Sequence, residues 1–377
     1  MKIYLDNAAT TKIFPEILNE MVGVFEEYYA NPNAIYSDAQ KSRNLIEESR
    51  RLIADFVGSE SEEIFFTSCA TESNNTIIRG LAEQFPQKNE ILISPIEHKS
   101  VLNPVKFLQK KGFKVKFLKI YKNGLIDIDD LKNKINSKTL FVGIIHGNNE
   151  TGVLQDIEKI GKICKEKEVF FFSDVVQTFC KEKINLDYLD FFSVSGHKIN
   201  APKGIGLFYK NKDTQIVPLL FGGGQEKGLR SGTENVAFIK FLADAVKIWN
   251  ENNQQKISYL KEIRDEFENQ LQKEIPEIEI ISKSVSRVPN ISAVIFPKVD
   301  AQSMVIGLNS ENVMVSSGSA CSSGTPTPSH VLLSYGYSEK ETLRYVRFSF
   351  GLMNKKEEIY ESVKRIKTVF DKLYNFF

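Results

Sequence analysis

Two apolar runs that end in polar residues decide the expected fold of this chain: "VFFFSDVVQ" (residues 169–177) and "DFFSVSGHK" (residues 190–198). Both are apolar on the two faces that a strand presents, which is typical of strands covered by helices on each side. The runs "EEIFFTS", "EILISP", "LFVGIIH" and "GIGLFY" repeat the pattern between about residues 60 and 210, with amphipathic helical stretches between them. The alternation predicts βαβ units and a largely parallel sheet.

The pattern changes after about residue 250, where a long amphipathic helix is predicted over 256–273. A strand-like "NISAVIF" and a final helix with apolar residues at three- and four-residue spacing follow. A chain of 377 residues is long for a single core. We therefore predict an α/β protein with a large, mostly parallel-sheet domain over residues 15–255. Residues 1–14 and 256–377 are expected to form a smaller α+β domain.

Composition excludes several classes of protein. The net charge is +1, which argues against a nucleic-acid partner. No apolar run approaches the length of a membrane span, and the amino terminus has no apolar core typical of a signal peptide. The four cysteines are scattered without a CxxC, which argues against a disulfide framework and a zinc site. A cytoplasmic location without membrane contact is expected.

Polar or ionisable residues follow five consecutive apolar runs. In open parallel sheets ligands bind beyond the carboxyl ends of the strands, so these residues should line one cleft. In chain order they are Thr71, His98, Asn149, Asp174, Gln177, Ser195, His197 and Lys198.

Each of these signals also has a purely structural interpretation. "SCATES" is either a capped helix start or an anion-binding site. The second interpretation is possible because free N–H groups at a helix start favour a phosphate. Asp174 is either a helix cap or an acid that holds a pyridinium nitrogen, and Lys198 is either a solvated lysine or a Schiff-base lysine. Together they favour pyridoxal 5'-phosphate. A dinucleotide is disfavoured because no GxGxxG follows the first strand.

Segments along nearly the whole chain resemble one family. They are "YLDNAATT", "ATESNN", "EHKSVL", "NNETG", "SDVVQ", "SGHKINAPKGIG", "GGGQEKGLRSGTEN", "SSGSACSS" and "RFSFG". In order and number they resemble the cysteine desulfurases of the NifS/IscS type. These belong to class V of the pyridoxal-phosphate-dependent aminotransferase superfamily, with the fold-type I architecture.

The resemblance implies a role for each matching residue. Lys198 corresponds to the Schiff-base lysine, and His98 to the residue that stacks on the pyridine ring and moves protons. Asp174 is implied as the partner of the pyridine nitrogen, and Gln177 as the donor to the phenolic oxygen. The implied phosphate-binding residues are Ala70, Thr71, Ser195 and His197. Thr233 is implied to bind the phosphate in a neighbouring subunit. The residues implied to bind the substrate carboxylate are Asn149 and Arg347.

The resemblance also implies that Cys321 is the catalytic thiol, within the small-residue stretch "VMVSSGSACSSGTPTPSHVLL" (residues 313–333). Its thiolate would take sulfur from L-cysteine as a persulfide and leave alanine, because the thiol itself is a poor nucleophile. His98 is the candidate acceptor of the thiol proton. A homodimer is implied, together with a sulfur-acceptor protein such as an iron–sulfur scaffold of the IscU/NifU type.

The sequence departs from the family pattern at Tyr36, where histidine is common, at Ala39, and at Cys69, where glycine is usual. Two alternatives stay open. One is a selenocysteine lyase or another class V aminotransferase, although an aminotransferase needs no thiol in the "SSGSAC" segment. The other is a catalytically silent binding subunit. The presence of Lys198, Asp174 and Cys321 argues against it.

Overall fold

We analysed a computed structural model of the chain, which describes residues 1–318 and 327–375. In chain order the strands are β1 (Ile3–Tyr4), β2 (Ile64–Thr67), β3 (Glu90–Ile93), β4 (Lys114–Phe117), β5 (Thr139–Gly143), β6 (Phe170–Asp174), β7 (Phe191–Ser195), β8 (Gly206–Lys210), β9 (Glu279–Ile280), β10 (Ile291–Ile295), β11 (Val313–Met314), β12 (Ser316–Ser317) and β13 (Tyr345–Ser349). The helices are α1 (Pro15–Glu27), α2 (Ser37–Val57), α3 (Ala70–Gln84), α4 (Lys99–Lys110), α5 (Ile128–Lys134), α6 (Ile157–Glu166), α7 (Val236–Asn250), α8 (Asn253–Glu274), α9 (Ala301–Ser310), α10 (His330–Ser334), α11 (Glu339–Thr342) and α12 (Lys356–Tyr374).

The large sheet has the strand order β2-β8-β7-β6-β5-β3-β4. Strands β4, β3, β5, β6 and β7 pair in parallel, whereas β8 runs antiparallel to both of its neighbours, β7 and β2. All six apolar runs form strands of this sheet, so the predicted α/β class and largely parallel sheet are confirmed. The edge strand β4 was not predicted, because its sequence "KVKF" alternates lysine with apolar residues and is partly exposed.

The central strands are apolar on both faces because helices cover both sides of the sheet. In β6 the side chain of Phe172 packs in one apolar cluster with Ile77 of α3 and Val101 of α4. The adjacent Phe171 packs in a second cluster with Ile160 of α6. Successive side chains of a strand point to opposite faces, so the two neighbouring phenylalanines occupy opposite layers.

A second, antiparallel sheet has the order β12-β13-β10-β9. The structure confirms the two helices that the sequence pattern predicted here, α8 and α12, with Phe267 and Phe370 among their buried residues. The amino-terminal segment joins this half of the chain, because β1 pairs in parallel with β11 and Asp6 bridges to Ser349.

One apolar core cluster contains residues of both predicted domains, including Phe192, Trp249, Phe267 and Phe348. The predicted boundary near residue 255 lies just inside α8. The division into two domains stays a prediction. Among the helices that the structure describes, none is both long enough and apolar enough to cross a membrane.

Candidate functional site

A cavity of about 490 Å³ lies where five strand ends of the large sheet meet the second sheet. Ten of the twelve predicted site residues line it: Ala70, Thr71, His98, Asn149, Asp174, Gln177, Ser195, His197, Lys198 and Arg347. The parallel strands β2, β3, β5, β6 and β7 end at one edge of the sheet, which brings their following residues together. Residues separated by more than one hundred positions therefore share one cavity.

The amino terminus of α3 forms one end of the cavity. The backbone N–H of Ala70 donates to Ser195 Oγ over 3.4 Å, and His197 Nδ1 lies 3.1 Å from Thr10 Oγ1. Cys69, which precedes the helix, is extended at φ −178°, so this position does not require glycine. Glycine is needed at position 206 instead, because the backbone of Gly206 lies so close to Cys69 that a Cβ would be 2.8 Å from the Cys69 backbone. A helix start with hydroxyl groups around it suits a phosphate.

Asp174, the last residue of β6, is 3% exposed. Its Oδ1 accepts from the Val176 N–H at 3.0 Å, and its Oδ2 accepts from Asn74 Nδ2 at 3.3 Å. Burial raises the pKa of Asp174 above its usual value, and the nearby His98 and Lys198 oppose that rise. A buried carboxylate of this kind can pair with a positively charged ring nitrogen.

His98 caps the amino terminus of α4. Its Nδ1 accepts from the Ser100 backbone N–H at 3.1 Å and lies 2.7 Å from Ser100 Oγ. Burial lowers the pKa of His98, while the charge of Asp174 acts in the opposite direction. A neutral imidazole with one engaged nitrogen is therefore expected near neutral pH.

Lys198 follows β7, and its Nζ donates to the carbonyl oxygens of Ala8 at 2.6 Å and Ala9 at 2.7 Å. Burial lowers the pKa of Lys198 to about 7, and the nearby Arg347 acts in the same direction. Gln177 Nε2 donates to the same Ala8 carbonyl at 2.9 Å. A lysine of this kind has a substantial neutral, nucleophilic fraction at neutral pH.

Arg347 enters the cavity from β13 of the second sheet. Its Nη1 donates to the Asn149 carbonyl at 2.8 Å, and its Nη2 donates to Asp6 Oδ1 at 2.8 Å. The buried Nε has no hydrogen-bond partner among the described residues. A held guanidinium that faces the cavity can pair with a carboxylate.

Sequence reasoning missed several residues of the site. Asp6 holds Arg347, and Asn74 and Ser100 connect Asp174 with His98. Cys69 also lines the cavity, and the missed residues in the lining are Ala8, Ala9, Ser100, Ile145, Val176 and Ser316. The spacing of Asn74 three residues after Thr71 on one helix was the available signal, since such residues share a helix face.

Two predicted site residues are not brought to the cavity by the described structure. Thr233 is exposed and lies outside the cavity lining, although an ion pair of 2.8 Å between Arg230 and Glu72 ties its loop to the start of α3. Cys321 lies outside the described residues.

The chemistry of the lining fits pyridoxal 5'-phosphate. A helix start with hydroxyl groups suits the phosphate, a buried carboxylate suits the ring nitrogen, and a desolvated lysine suits the aldehyde. The buried Nε of Arg347, which belongs to the lining, has no partner in the described chain, as expected of a polar group beside a ligand site. Fold and cavity together define a fold-type I, pyridoxal-phosphate-dependent enzyme.

Comparison with known proteins identifies the family. Residues 3–361 match the family model described as Aminotransferase class-V. The chain is 38% identical over 375 residues to cysteine desulfurase IscS of Dictyoglomus turgidum, covering 99% of this chain and 95% of that protein. A solved NifS-like protein superposes with a TM-score of 0.93 at 34% identity, covering 99% of this chain and 100% of that chain. A structure described as SspA in complex with cysteine gives a TM-score of 0.81 at 35% identity, covering 93% of this chain and 99% of that chain.

The chain belongs to the class V aminotransferase family and, within it, to the IscS/NifS cysteine desulfurases. The cofactor of this family is pyridoxal 5'-phosphate.

Proposed function

We propose that this enzyme converts L-cysteine to L-alanine and passes the sulfur, through a persulfide on Cys321, to an acceptor. The observation that carries the proposal is the cavity that holds the Lys198 amine, the buried Asp174 carboxylate and the Arg347 guanidinium together. Similarity to proteins named cysteine desulfurase, and to a structure with bound cysteine, supports cysteine as the substrate.

The substrate would be held by its carboxylate. Arg347 pairs with it through the N–H groups that do not donate to Asp6 or to the Asn149 carbonyl, and Asn149 lies beside it in the lining. Because Asp6 and the Asn149 carbonyl already fix the guanidinium, little side-chain entropy is lost when the substrate binds.

The cofactor would be held by Lys198 and Asp174, with Gln177 at the phenolic oxygen and Ala70, Thr71, Ser195 and His197 at the phosphate. When bound, it supplies an electron sink for the electrons released at the substrate Cα. Lys198 then serves as the group that takes and returns a proton near that carbon, since its pKa of about 7 suits both directions. His98 is the second proton-transfer group.

Sulfur transfer requires the thiolate of Cys321. The thiolate attacks the substrate sulfur, the C–S bond breaks and an S–S bond forms. The sulfurs are oxidised to a persulfide, and the β-carbon of the substrate is reduced to the methyl group of alanine. One thiolate, one L-cysteine and one proton thus give one persulfide and one L-alanine.

The persulfide would pass to an iron–sulfur scaffold of the IscU/NifU type, in a reducing compartment such as the cytoplasm. A homodimer is part of the proposal, with Thr233 reaching the phosphate of the partner subunit. Exposed apolar surface beside that loop supports a dimer: Asn33 contacts Glu234 over 3.3 Å, and Ile35 is 92% exposed.

The test is an assay of sulfide and alanine with purified protein, pyridoxal 5'-phosphate, L-cysteine and dithiothreitol. We expect equal amounts of the two products from the wild type. Cys321→Ser should bind the cofactor normally but release no sulfide, because serine cannot accept the sulfur.

Cys164→Ser is the matched control. Cys164 is fully buried in α6, and burial raises the pKa of its thiol, so it should be inert and its replacement should leave activity near wild type. Full sulfide release by Cys321→Ser would overturn the proposal. Faster turnover of selenocysteine than of cysteine would instead favour the lyase alternative.

A further inference from the structure

A chain of hydrogen bonds joins Asp174 to His98 through two residues to which no role has been assigned. Asn74 Nδ2 lies 3.3 Å from Asp174 Oδ2 and 2.8 Å from Ser100 Oγ. Ser100 Oγ in turn lies 2.7 Å from His98 Nδ1. Asn74 is fully buried and Ser100 is 8% exposed, so bulk water does not compete for these contacts.

The direction of each hydrogen bond follows from the chemistry of the groups. The Ser100 backbone N–H points at His98 Nδ1 over 3.1 Å and can only donate, so Nδ1 accepts and carries no proton. Asn74 must present its NH₂ to Asp174, since a reversed amide would place its carbonyl oxygen against a carboxylate oxygen. The second N–H of that amide donates to Ser100 Oγ, which leaves the Ser100 hydroxyl proton free to donate to Nδ1.

The orientation of Asn74 leaves one buried polar atom without a partner. With both amide hydrogens engaged, Asn74 Oδ1 is left buried without a hydrogen-bond partner in the described chain. This is the cost of the orientation, because buried amide oxygens are nearly always bonded.

We propose that Asn74 and Ser100 are positioning residues that hold neutral His98 with its proton on Nε2. Since Nδ1 is engaged by Ser100, Nε2 is the nitrogen that can exchange a proton with a molecule in the cavity. His98 therefore presents an N–H donor to the cavity, and its unprotonated Nδ1 is engaged by Ser100 before the reaction begins. The catalytic use of that N–H rests on the proposed function, whereas the position of the proton rests on the hydrogen bonds alone.

Charged and titratable groups surround His98 on several elements: Asp174 at the end of β6, Lys198 after β7, His330 in α10 and Lys99 in α4. Among them, Asp174 favours the imidazolium, while Lys198, His330, Lys99 and burial disfavour it. The two donors directed at Nδ1 also disfavour the imidazolium, because protonation of Nδ1 would break both hydrogen bonds.

Nitrogen-15 NMR of histidine-labelled apoprotein tests the proposal directly. The chain has four histidines, and His98 is assigned by its absence in His98→Gln. We expect wild-type His98 at neutral pH with a protonated Nε2 and a hydrogen-bonded, unprotonated Nδ1. A proton on Nδ1 in the wild type would overturn the proposal.

Variants test the two positioning residues. Ser100→Ala and Asn74→Ala should shift the His98 Nδ1 resonance and move its titration midpoint upward, and Ser100→Thr, which keeps the hydroxyl, should restore both. The kcat for cysteine should fall about tenfold or more in the two alanine variants, with KM little changed. Ser362→Ala is the control, because that buried hydroxyl donates to the Ile359 carbonyl of its own helix.

An unchanged Nδ1 resonance and titration midpoint in folded Ser100→Ala would contradict the assignment. The NMR measurement needs neither cofactor nor turnover, so its result is separate from the sulfide assay. A wild type that releases no sulfide but shows the Nε2–H form would reject the function and retain the positioning role.

Discussion

Lys198 is a buried amine whose environment changes its chemistry. Burial, followed by the positive charge of Arg347, lowers its pKa from 10.5 to about 7. The carbonyls of Ala8 and Ala9 hold its Nζ at hydrogen-bond distance, so the amine is oriented as well as activated. A surface lysine would be almost entirely protonated at the same pH.

This depressed pKa predicts the pH dependence of cofactor uptake. Raising the pH deprotonates the ammonium, and only the neutral amine attacks the aldehyde, so uptake by apoprotein should accelerate with rising pH through a midpoint near 7. Stopped-flow absorbance after mixing with pyridoxal 5'-phosphate measures the rate. The neutral fraction of Lys198 should rise from about 10% at pH 6 to about 90% at pH 8.

Lys203→Arg provides the control, because Lys203 is an exposed lysine five residues further along the chain. That variant should keep the wild-type profile, and Lys198→Arg should retain no cofactor after borohydride reduction and denaturation. A midpoint near 10 in the wild type would show that Lys198 is not desolvated in solution.

At the scale of elements, the turn that follows β5 contacts both ends of the segment that contains Cys321. Ser329 Oγ donates to Glu150 Oε2 at 2.5 Å. At Gly318 a Cβ would lie 2.8 Å from the same oxygen and 2.6 Å from the Tyr345 ring. Tyr345 in turn donates to the Glu150 carbonyl at 2.7 Å. Glu150 therefore positions the described residues on either side of 319–326.

Removing the Glu150 carboxyl should weaken sulfur transfer without loss of the cofactor. Glu150→Ala removes the acceptor of the buried Ser329 hydroxyl, so the free energy of unfolding should fall by about 1–3 kcal/mol. We expect sulfide release to fall roughly fivefold or more, since a loss of about 1 kcal/mol in positioning is already a fivefold effect. Denaturant unfolding and the sulfide assay measure the two quantities.

Glu150→Gln is the matched variant, because its amide oxygen can still accept from Ser329. Burial already raises the pKa of Glu150, so replacing it by a neutral group should cost little. Equal sulfide release by Glu150→Ala and the wild type would show that the turn does not position the segment.

At the scale of the whole molecule, the proposed dimer predicts a mass of twice the 42.9-kDa chain in sedimentation. Ile35→Asp should weaken association, because it places a charge on apolar surface beside the Thr233 loop. It should also lower cofactor affinity, since Thr233 of each subunit would withdraw from the partner's phosphate.

Ile306→Asp is a matched control on α9, at a position that is 63% exposed. It should leave the mass unchanged. A wild type that sediments as a single chain at micromolar concentration, or equal behaviour of the two variants, would contradict the predicted dimer.

The sequence alone predicted the large sheet and most of the cavity lining. Apolar runs such as 170–174 and 191–195 indicate buried strands by local pattern, and the polar residues after parallel strands must meet at one edge. Lys198 and Asp174 could be selected in this way because their position follows from strand ends. The edge strand β4 was not predicted, because its lysines interrupt the apolar run by which the other strands were recognised.

Only the tertiary structure revealed the residues that act through others. Asp6 holds Arg347 across 341 positions of sequence, and Asn74 reaches Asp174 across 100. These contacts depend on the angle and distance between separate elements, which no local pattern encodes. The sequence therefore determined which strand-end groups of the large sheet enter the cavity, because strand ends are a local property. Folding determined their protonation and orientation, because burial and long-range hydrogen bonds exist only in the packed chain.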